Sequence, residues 1–300
     1  METKLNRRDA IRRMFQITAA ITLSAATLPT FISCTPAGKK RIVFFFTGTG
    51  NSLWVASQLT DVPLSIPQVM KNLNITYEAD EIGIVCPVYR GRVPQMVQRF
   101  MREAKLKASY FFGIVTYGSR PTDSTDAWDK LAQENGINFD YMNCVHMVDN
   151  FLPTFDMNQQ REMEKSTDED LAQVVADLNE HKQWKWPVTD EDREFRAMVV
   201  RMRGDHFPAE SSRIFVVNRD RCVGCGFCSR VCPRGNWSFG NQGIAVTGDC
   251  EKCLACIHNC PQKAITMNEG DRNPEARYRH PKVTINQIVR ANISSSDIKG

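Results

Sequence analysis

Residues 222–233 read Cys-Val-Gly-Cys-Gly-Phe-Cys-Ser-Arg-Val-Cys-Pro, and residues 250–261 read Cys-Glu-Lys-Cys-Leu-Ala-Cys-Ile-His-Asn-Cys-Pro. Both stretches follow the spacing Cys-x2-Cys-x2-Cys-x3-Cys-Pro, so this part of the chain contains an internal repeat. Eight of the eleven cysteines lie in these two runs, whereas Cys34, Cys86 and Cys144 stand alone. Such clustering indicates metal binding more than a disulfide framework.

The spacing within each run is that of proteins that bind two [4Fe-4S] clusters. Three closely spaced thiolates surround one cluster, and the fourth cysteine is expected to begin a short helix that leads to the other cluster. Zinc is the competing interpretation, although two zinc sites do not require eight thiolates in this order. His258 lies inside the second run and is expected to be a surface residue. The expected ligands are Cys222, Cys225, Cys228 and Cys260 for one cluster, and Cys250, Cys253, Cys256 and Cys232 for the other.

Upstream of the repeat, short apolar runs alternate with helical patterns. Residues 42–46, 82–86 and 110–115 form the apolar runs, which are typical of strands that are covered on both faces. A turn and a helical pattern follow each run, so the sequence predicts a parallel α/β sheet. Residues 157–203 have a polar, helical pattern with one apolar stripe, which we expect to pack against the core.

A glycine-rich turn lies between the first predicted strand and a helix that starts at Leu53. Backbone amides and hydroxyls at such a helix start form an anion site, which suits a phosphate monoester. The turn lacks the Gly-Lys-Ser/Thr ending of nucleotide triphosphate loops and the third glycine of the dinucleotide fingerprint. The candidate phosphate-binding residues are Thr47, Gly48, Thr49, Gly50, Asn51 and Ser52.

Two further loops follow the second and third predicted strands. Ligands of open α/β sheets bind at the carboxyl ends of the strands, so we expect all three loops to meet at one crevice. Tyr89 and Tyr117 are candidates for stacking on a flavin ring, with ordinary packing as the alternative. The candidate residues in these two loops are Pro87, Val88 and Tyr89, and Thr116, Tyr117 and Gly118.

Together these three loops resemble the phosphate loop and the two ring-contacting loops of flavodoxins. With the cysteine repeat behind them and Arg277-Tyr278-Arg279-His280-Pro281 near the end, residues 41–292 resemble bacterial fusions of a flavodoxin domain with a ferredoxin. The resemblance implies a flavodoxin-like, doubly wound parallel sheet, followed by a small α+β domain of the bacterial 2[4Fe-4S] ferredoxin type. It also implies FMN as a cofactor.

The implied function is electron transfer between FMN, two [4Fe-4S] clusters and a redox partner protein. Two alternatives stay open: a flavin-dependent reductase of a small substrate, and an iron–sulfur protein whose flavodoxin-like domain only docks partners. The sequence places no nucleophile beside a base, so we assign no catalytic residue and expect an electron carrier more than a dedicated enzyme.

The amino terminus has the pattern of an export signal. Arg7, Arg8, Arg12 and Arg13 precede an uncharged, modestly apolar stretch at residues 17–33. The Arg12-Arg13-Met14-Phe15 sequence resembles a twin-arginine signal. Ser33-Cys34 resembles a lipoprotein processing site, so membrane attachment through lipidated Cys34 or through the N-terminal segment itself is one expectation. The expected location is periplasmic or membrane-anchored, with the cytoplasm as the alternative.

The charge balance argues against a nucleic-acid partner. The chain has 38 Lys and Arg against 34 Asp and Glu, but five of these cations and two of these acids lie in the first 34 residues. The remainder is therefore nearly neutral and has no basic stripe for a phosphate backbone. The predicted organisation is a signal at 1–34, a flavodoxin-like domain at 41–156, a helical extension at 157–211, a ferredoxin domain at 212–270 and a tail at 271–300.

Overall fold

The structure is a computed structural model that describes residues 39–204, 213–240 and 243–292. The predicted export signal and Cys34 lie outside the described residues. Among the helices that are described, none combines the length and the apolar character needed to cross a membrane.

The first part of the described chain alternates strands and helices. In chain order its elements are β1 (Arg41–Phe45), α1 (Asn51–Leu59), β2 (Leu64–Ser65), α2 (Ile66–Val69), β3 (Thr76–Glu78), β4 (Glu81–Pro87), α3 (Gln95–Glu103), β5 (Lys105–Lys107), β6 (Tyr110–Tyr117), α4 (Ser124–Glu134), β7 (Tyr141–His146), α5 (Met157–Glu162), α6 (Thr167–Asn179), β8 (Trp184–Lys185) and α7 (Asp190–Arg203).

Six of these strands form a central parallel sheet in the order β2-β1-β4-β6-β7-β8. The chain first moves outward from β1 to β2 and then crosses back to β4, so the order reverses between β1 and β4. That point is where α/β sheets of this kind bind ligands. The order is compatible with the flavodoxin-like fold that the sequence predicts.

The strands are apolar because helices cover both faces of the sheet. In β4, every residue from Glu81 to Cys86 is buried, and Phe112 of β6 is fully buried. A Cβ atom on Gly83 would lie 2.1 Å from the ring of Phe112, so only glycine allows that ring to lie flat against β4. The continuous apolar runs in the sequence therefore reflect burial on both sides.

The segment that follows β7 contains a strand that the sequence prediction did not include. Residues 157–203 contain α5, α6 and α7, but Trp184–Lys185 forms β8 and pairs in parallel with β7. Trp184 donates its backbone N–H to the Asp140 carbonyl at 3.0 Å, and Trp186 donates to Met142 at 2.9 Å. Pairing with the open edge of the sheet, which is a long-range contact, decides the conformation of these few residues.

The second part of the described chain contains the cysteine runs. Its elements are β9 (Phe215–Val217), α8 (Phe227–Arg230), β10 (Trp237–Gly240), β11 (Gly243–Val246), α9 (Ala255–His258), β12 (Ile265–Met267) and α10 (Ile285–Asn292). Strands β9 and β12 pair antiparallel, as do β10 and β11. Each cysteine run thus contributes one short helix to a small α+β domain.

The cysteines occupy different helix positions from those expected. Helix α8 contains Cys228, the third cysteine of its run, and Cys232 follows the end of that helix. Helix α9 contains Cys256 in the same way, and Cys260 follows it. The fourth cysteine therefore lies after the helix and does not begin it, because each helical turn starts one residue before the third cysteine and ends two residues before the fourth.

The last described residues fold back onto the central sheet domain. Gln68 of α2 donates its side-chain amide to the Arg290 carbonyl at 3.2 Å, and Ser65 donates its hydroxyl to the Ala291 carbonyl. Asn292 donates its side-chain amide to the Val231 carbonyl at 3.0 Å. Residues 283–292, predicted as part of a tail, therefore join the two parts of the chain.

Candidate cofactor sites

The glycine-rich turn after β1 is a closed, hydrogen-bonded loop. The Gly50 N–H donates to Thr47 Oγ1 at 3.0 Å, and the Ser52 and Thr116 hydroxyl oxygens lie 2.8 Å apart. Asn150 donates its side-chain amide to Thr49 Oγ1 at 2.7 Å. Helix α1 starts directly after Gly50, so its first N–H groups and the hydroxyls meet at one place. This arrangement is suited to a phosphate group.

A cavity of about 370 Å³ opens beside this loop, at the carboxyl ends of β1, β4 and β6. Eleven of the twelve residues predicted to bind FMN line it: Thr47, Gly48, Thr49, Asn51, Ser52, Pro87, Val88, Tyr89, Thr116, Tyr117 and Gly118.

Gly50 is the predicted residue that does not line the cavity. A Cβ atom there would lie 3.0 Å from Cβ of Val283 and 3.2 Å from Cβ of His280. Its φ of 103° is also a conformation that side chains disfavour. The free face of Gly50 therefore contacts the C-terminal segment, and its role at a phosphate stays a prediction.

The C-terminal segment contacts the glycine-rich turn at residues 47–52, which we call the phosphate loop after the ligand predicted for it. Tyr278 donates its hydroxyl to Asn51 Oδ1 at 2.8 Å, and the His280 N–H donates to the Thr49 carbonyl at 2.9 Å. The His280 ring stacks on Trp54 of α1, with ring centroids 4.8 Å apart. Burial, with a smaller effect from the Lys282 charge, lowers the pKa of His280 to about 4. The sequence prediction missed these contacts, since they join residues more than two hundred positions apart.

The two candidate stacking residues have different surroundings. The Tyr117 ring stacks on His146 with centroids 5.0 Å apart and planes 10° apart. Burial, together with the charges of Asp170 and Cys144, raises the pKa of Tyr117 to about 12. Burial also raises the pKa of Tyr89 well above its usual value, and the charge of Cys253 adds to this effect. Tyr89 therefore lines the cavity and lies close enough to Cys253 for the two groups to interact electrostatically.

The eight cysteines of the repeat lie in two groups of four. One small cavity is lined by Cys222, Cys225, Cys228 and Cys260, and another by Cys232, Cys250, Cys253 and Cys256. The last cysteine of each run thus lies with the first three cysteines of the other run. The two groups contain the same residues as the two ligand sets predicted from the sequence. Within the described residues, no three Cys, His, Asp or Glu side chains are placed around a single metal position.

Backbone amides donate hydrogen bonds to sulfur in both groups. The Asn236 N–H lies 3.4 Å from Sγ of Cys232, and the Ala264 N–H lies 3.3 Å from Sγ of Cys260. Burial raises the pKa of Cys228 and of Cys250 to about 12, so these thiols keep their protons at neutral pH without a metal. A metal that binds thiolates releases those protons, and the N–H donors then stabilise the negative sulfurs. The donor set therefore suits iron–sulfur clusters.

His258 is buried, and the expectation of a surface histidine was wrong. Only 5% of it is exposed, and burial lowers its pKa to about 3. Its Nδ1 accepts the Tyr278 N–H at 3.0 Å, so the proton is on Nε2, which donates to the Asn150 carbonyl at 2.9 Å. His258 is thus a neutral link between the cysteine domain and the sheet domain.

The cavity beside the glycine-rich turn adjoins the second cysteine group, and we call it the larger cavity because it exceeds both cysteine cavities in volume. A Cβ atom on Gly48 would lie 2.2 Å from the carbonyl oxygen of Cys253, so the phosphate loop and the cysteine loop are in direct contact. Lys252 and Leu254, the neighbours of Cys253, line the larger cavity. The sequence contained no signal for this contact.

Comparisons with known proteins support iron–sulfur binding by the cysteine domain. Residues 215–237 match the family described as 4Fe-4S binding domain. An uncharacterized ferredoxin of Methanocaldococcus jannaschii is 38% identical over 57 residues, which are 17% of this chain and 74% of that protein. A ferredoxin of Methanothermococcus thermolithotrophicus is 32% identical over 18% of this chain and 95% of that protein.

A larger relative matches over a smaller share of its own length. The formate dehydrogenase iron-sulfur subunit of Wolinella succinogenes is 28% identical over 27% of this chain and 40% of that protein. All three matches concern iron–sulfur proteins, and the two ferredoxins are covered over most of their length. Through its C-terminal domain, the chain therefore belongs to the 4Fe-4S ferredoxins, which are electron-transfer proteins.

Proposed function

We propose that this protein relays electrons between FMN and two [4Fe-4S] clusters and passes them to or from a partner protein. The observation that carries the proposal is the contact between Gly48 of the phosphate loop and the Cys253 carbonyl. It brings a cavity suited to FMN directly against four grouped cysteines. FMN can exchange electrons in pairs or singly, whereas each cluster exchanges one at a time.

The proposed FMN site uses the three loops of the sheet domain. The hydroxyls of Thr47, Thr49 and Ser52 and the first amides of α1 would hold the phosphate, since hydroxyls and amides suit a phosphate monoester. The loops that carry Tyr89 and Tyr117 would enclose the ring. The position of the cavity at the order reversal between β1 and β4 supports this assignment.

The proposed clusters have crossed ligands. The proximal cluster takes Cys232, Cys250, Cys253 and Cys256, the group that adjoins the larger cavity, and the distal cluster takes Cys222, Cys225, Cys228 and Cys260. Two proximal ligands, Cys253 and Cys256, are buried, whereas Cys228 is the buried ligand of the distal group. The distal cluster is therefore the one through which we expect a partner protein to exchange electrons.

The proposed location is outside the cytoplasm, after folding and cofactor loading inside it. The twin-arginine-like sequence at Arg12 and Arg13 supports this, because that route exports folded proteins. We expect the double variant Arg12→Lys, Arg13→Lys to stay in the cytoplasm, whereas the Arg7→Lys, Arg8→Lys control is exported. Fractionation of cells that express each variant measures this, and export of the Arg12→Lys, Arg13→Lys protein would contradict the assignment.

The cofactor assignment is tested by anaerobic purification and quantitation of iron, sulfide, zinc and FMN. We expect roughly eight iron and eight sulfide per chain, as two [4Fe-4S] clusters require, and one FMN. Zinc in place of iron would contradict the cluster assignment. Iron and sulfide without flavin, even after incubation with FMN, would favour a sheet domain that only docks partners.

A second candidate function is the reduction of a small substrate at the flavin. It is favoured by the lining of the larger cavity, which extends beyond the three loops to Phe195, Met198 and Met202 of α7. Saturable turnover of a small acceptor by the reduced protein, without any protein partner, would support this enzyme function over a pure carrier.

A further inference from the structure

Four cationic side chains line one end of the larger cavity. They come from separate parts of the chain: Arg90 follows β4, Arg120 follows β6, Arg196 lies on α7 and Lys252 lies in the second cysteine run. Among the described residues, the one acid in the lining is Asp149, whose carboxylate accepts the Ser119 hydroxyl at 2.6 Å and the Phe151 N–H at 3.1 Å. We call the group Arg90, Arg120, Arg196 and Lys252 the cationic end.

Two of the four cations lie near acids that are outside the cavity lining. Lys252 Nζ lies 3.5 Å from a Glu269 oxygen, and Arg196 Nε lies 3.9 Å from Asp123 Oδ1. Arg120 is exposed, and its guanidinium lies 5.2 Å from the centre of the Phe195 ring. With four cations and one acid in the lining described here, the cavity has a positive character that favours an anion.

The backbone around the cationic end is strained. Arg90, Thr122, Lys252 and Leu254 all line the cavity, and their φ angles are 51°, 55°, 51° and 56°. They are four of the six non-glycine residues with positive φ in the described part of the chain. This conformation is disfavoured for any side chain and most of all for a β-branched one such as Thr122. Strain of this kind gathers at functional sites, where the surrounding structure holds it in place.

Beside these charges, helix α7 contributes an apolar part of the cavity wall. Phe195, Met198, Val199 and Met202 of α7 line it, and Met198 and Met202 are exposed to solvent as well. Methionine side chains adapt to ligands of different shape. A small inorganic anion would leave this wall unused, so the lining suits an anion with an apolar body.

The cationic end and the proposed phosphate site are formed by different segments of the chain. The phosphate loop carries hydroxyl and amide side chains, whereas the four cations come from other segments of the chain. Arg196 lies against the loop after β4, because a Cβ atom on Gly91 would be 2.6 Å from its Cδ. This loop also carries Tyr89 and is one of the two loops that are proposed to enclose the flavin ring.

We propose that the cationic end binds a small carboxylate with an apolar body, next to the flavin. Arginine pairs with a carboxylate through two parallel hydrogen bonds, and the α7 wall covers the apolar part. This inference rests on the proposed FMN site for the position of the ring. It makes the larger cavity a substrate or effector site of the relay.

Benzoate is a suitable probe, with benzamide as its neutral counterpart of the same shape. Purified protein is titrated with each compound by calorimetry, while visible absorption reports on the flavin. We expect benzoate to bind once per chain, to shift the flavin spectrum and to bind more weakly at high salt. Benzamide and the Arg120→Gln variant with benzoate should each show roughly tenfold weaker binding.

The matched control is Arg102→Gln, an exposed arginine on α3 that does not line the cavity and should leave benzoate affinity unchanged. If Arg120→Gln is misfolded by circular dichroism, Arg90→Gln replaces it. Absence of benzoate binding, equal binding of benzamide, or unchanged affinity in the folded variant overturns the proposal. Release of FMN by benzoate also overturns it, because the cations would then hold the FMN phosphate. FMN content of the same sample shows separately whether the flavin site itself fails.

Discussion

Cys232 and Cys260 show how one side chain can belong to a site built by a distant part of the chain. Cys232 lies among Cys250, Cys253 and Cys256, and Cys260 lies among the cysteines of the first run. Each of them follows the single helical turn, α8 or α9, that contains the third cysteine of its own run. The short helices therefore set the exchange of ligands between the two groups.

Replacement of Cys232 by serine is expected to damage the proximal cluster and to spare the distal one. The variant should lose roughly half of its iron and share its low-temperature electron paramagnetic resonance spectrum with Cys253→Ser. The spectrum of Cys260→Ser should differ from both, and Cys144→Ser, outside both groups, should match the unmodified protein. A Cys232→Ser spectrum that matches Cys225→Ser would contradict the crossed assignment.

Gly48 is the residue at which the two sites meet. In Gly48→Ala the new Cβ atom would collide with the Cys253 carbonyl oxygen, and backbone atoms cannot move aside easily. We expect a stability loss of about 1–3 kcal/mol, as overpacking typically costs. We also expect a change in FMN affinity and in the proximal-cluster spectrum.

Gly136→Ala is the control for this substitution, because the position has φ of 76° but no atom near the added Cβ. It should cost about 1 kcal/mol through backbone strain alone and leave both cofactor signals unchanged. Equal effects of the two substitutions on the cofactor signals would argue against the contact.

At the scale of elements, α10 is the helix that connects the sheet domain to the cysteine domain. Its Ile288 is fully buried in the core of the sheet domain, and its C-terminal end reaches Val231 of the cysteine domain. We expect Ile288→Ala to lower the free energy of unfolding by about 2–5 kcal/mol, the usual cost of such a cavity. Asn286→Ala, at an exposed position of the same helix, should have little effect. Urea denaturation measures both, and equal stability of the two variants would contradict the packing.

Asp177 connects α6 to β7 through a buried hydrogen-bond network. It accepts the Tyr141 hydroxyl at 2.9 Å, the Gln173 side-chain amide at 2.7 Å and Lys182 Nζ at 3.0 Å. Burial acts to raise its pKa, but the hydrogen bonds and the Lys182 charge outweigh burial and hold the pKa below its usual value. A depressed carboxyl pKa stabilises the fold above the unfolded value, and this contribution is lost as the pH falls.

The stability difference between the unmodified protein and Asp177→Asn should therefore shrink as the pH falls below about 4, where an unfolded aspartate takes up its proton. Urea denaturation from pH 7 to pH 3 measures this difference. Glu180→Gln, an exposed acid just after α6, should show no comparable trend. If the stability difference between the two proteins stays constant with pH, Asp177 stabilises the fold through packing and not through its charge.

At the scale of the whole molecule, the proposed relay has a fixed order. The cavity proposed for FMN adjoins the proximal group through Lys252 and Leu254, whereas none of the distal cysteines or their neighbours in the chain lines it. We expect Cys225→Ser to keep electron exchange between FMN and the proximal cluster but to slow reduction of cytochrome c, used as a one-electron acceptor. Cys253→Ser should impair both steps, and Cys144→Ser neither.

Stopped-flow spectroscopy under anaerobic conditions separates the two steps of the relay. Unchanged cytochrome c reduction in the Cys225→Ser variant would show that electrons leave from the flavin or from the proximal cluster. That result would contradict the proposed order of the relay, but it would not contradict the assignment of the cysteines to two ligand groups.

Local sequence patterns were enough to predict the iron–sulfur domain and the main strands of the sheet. The cysteine spacing identified a 4Fe-4S ferredoxin domain, and the apolar runs at residues 42–46, 82–86 and 110–115 predicted parallel strands. Both signals are readable because their causes act over a few residues: thiolates must surround a cluster, and a strand that is buried on both faces must be apolar. For the same reason, the loops after β1, β4 and β6 could be assigned to one crevice.

The tertiary structure decided what depends on contacts between distant residues. The sequence could not show that Gly48 lies against Cys253, that His258 is buried beside Asn150, or that Trp184 extends the sheet. It also contained no signal that the free face of Gly50 contacts His280 and Val283. Long-range packing leaves no periodic pattern in the chain, so burial and the proximity of the two sites are properties of the folded molecule alone.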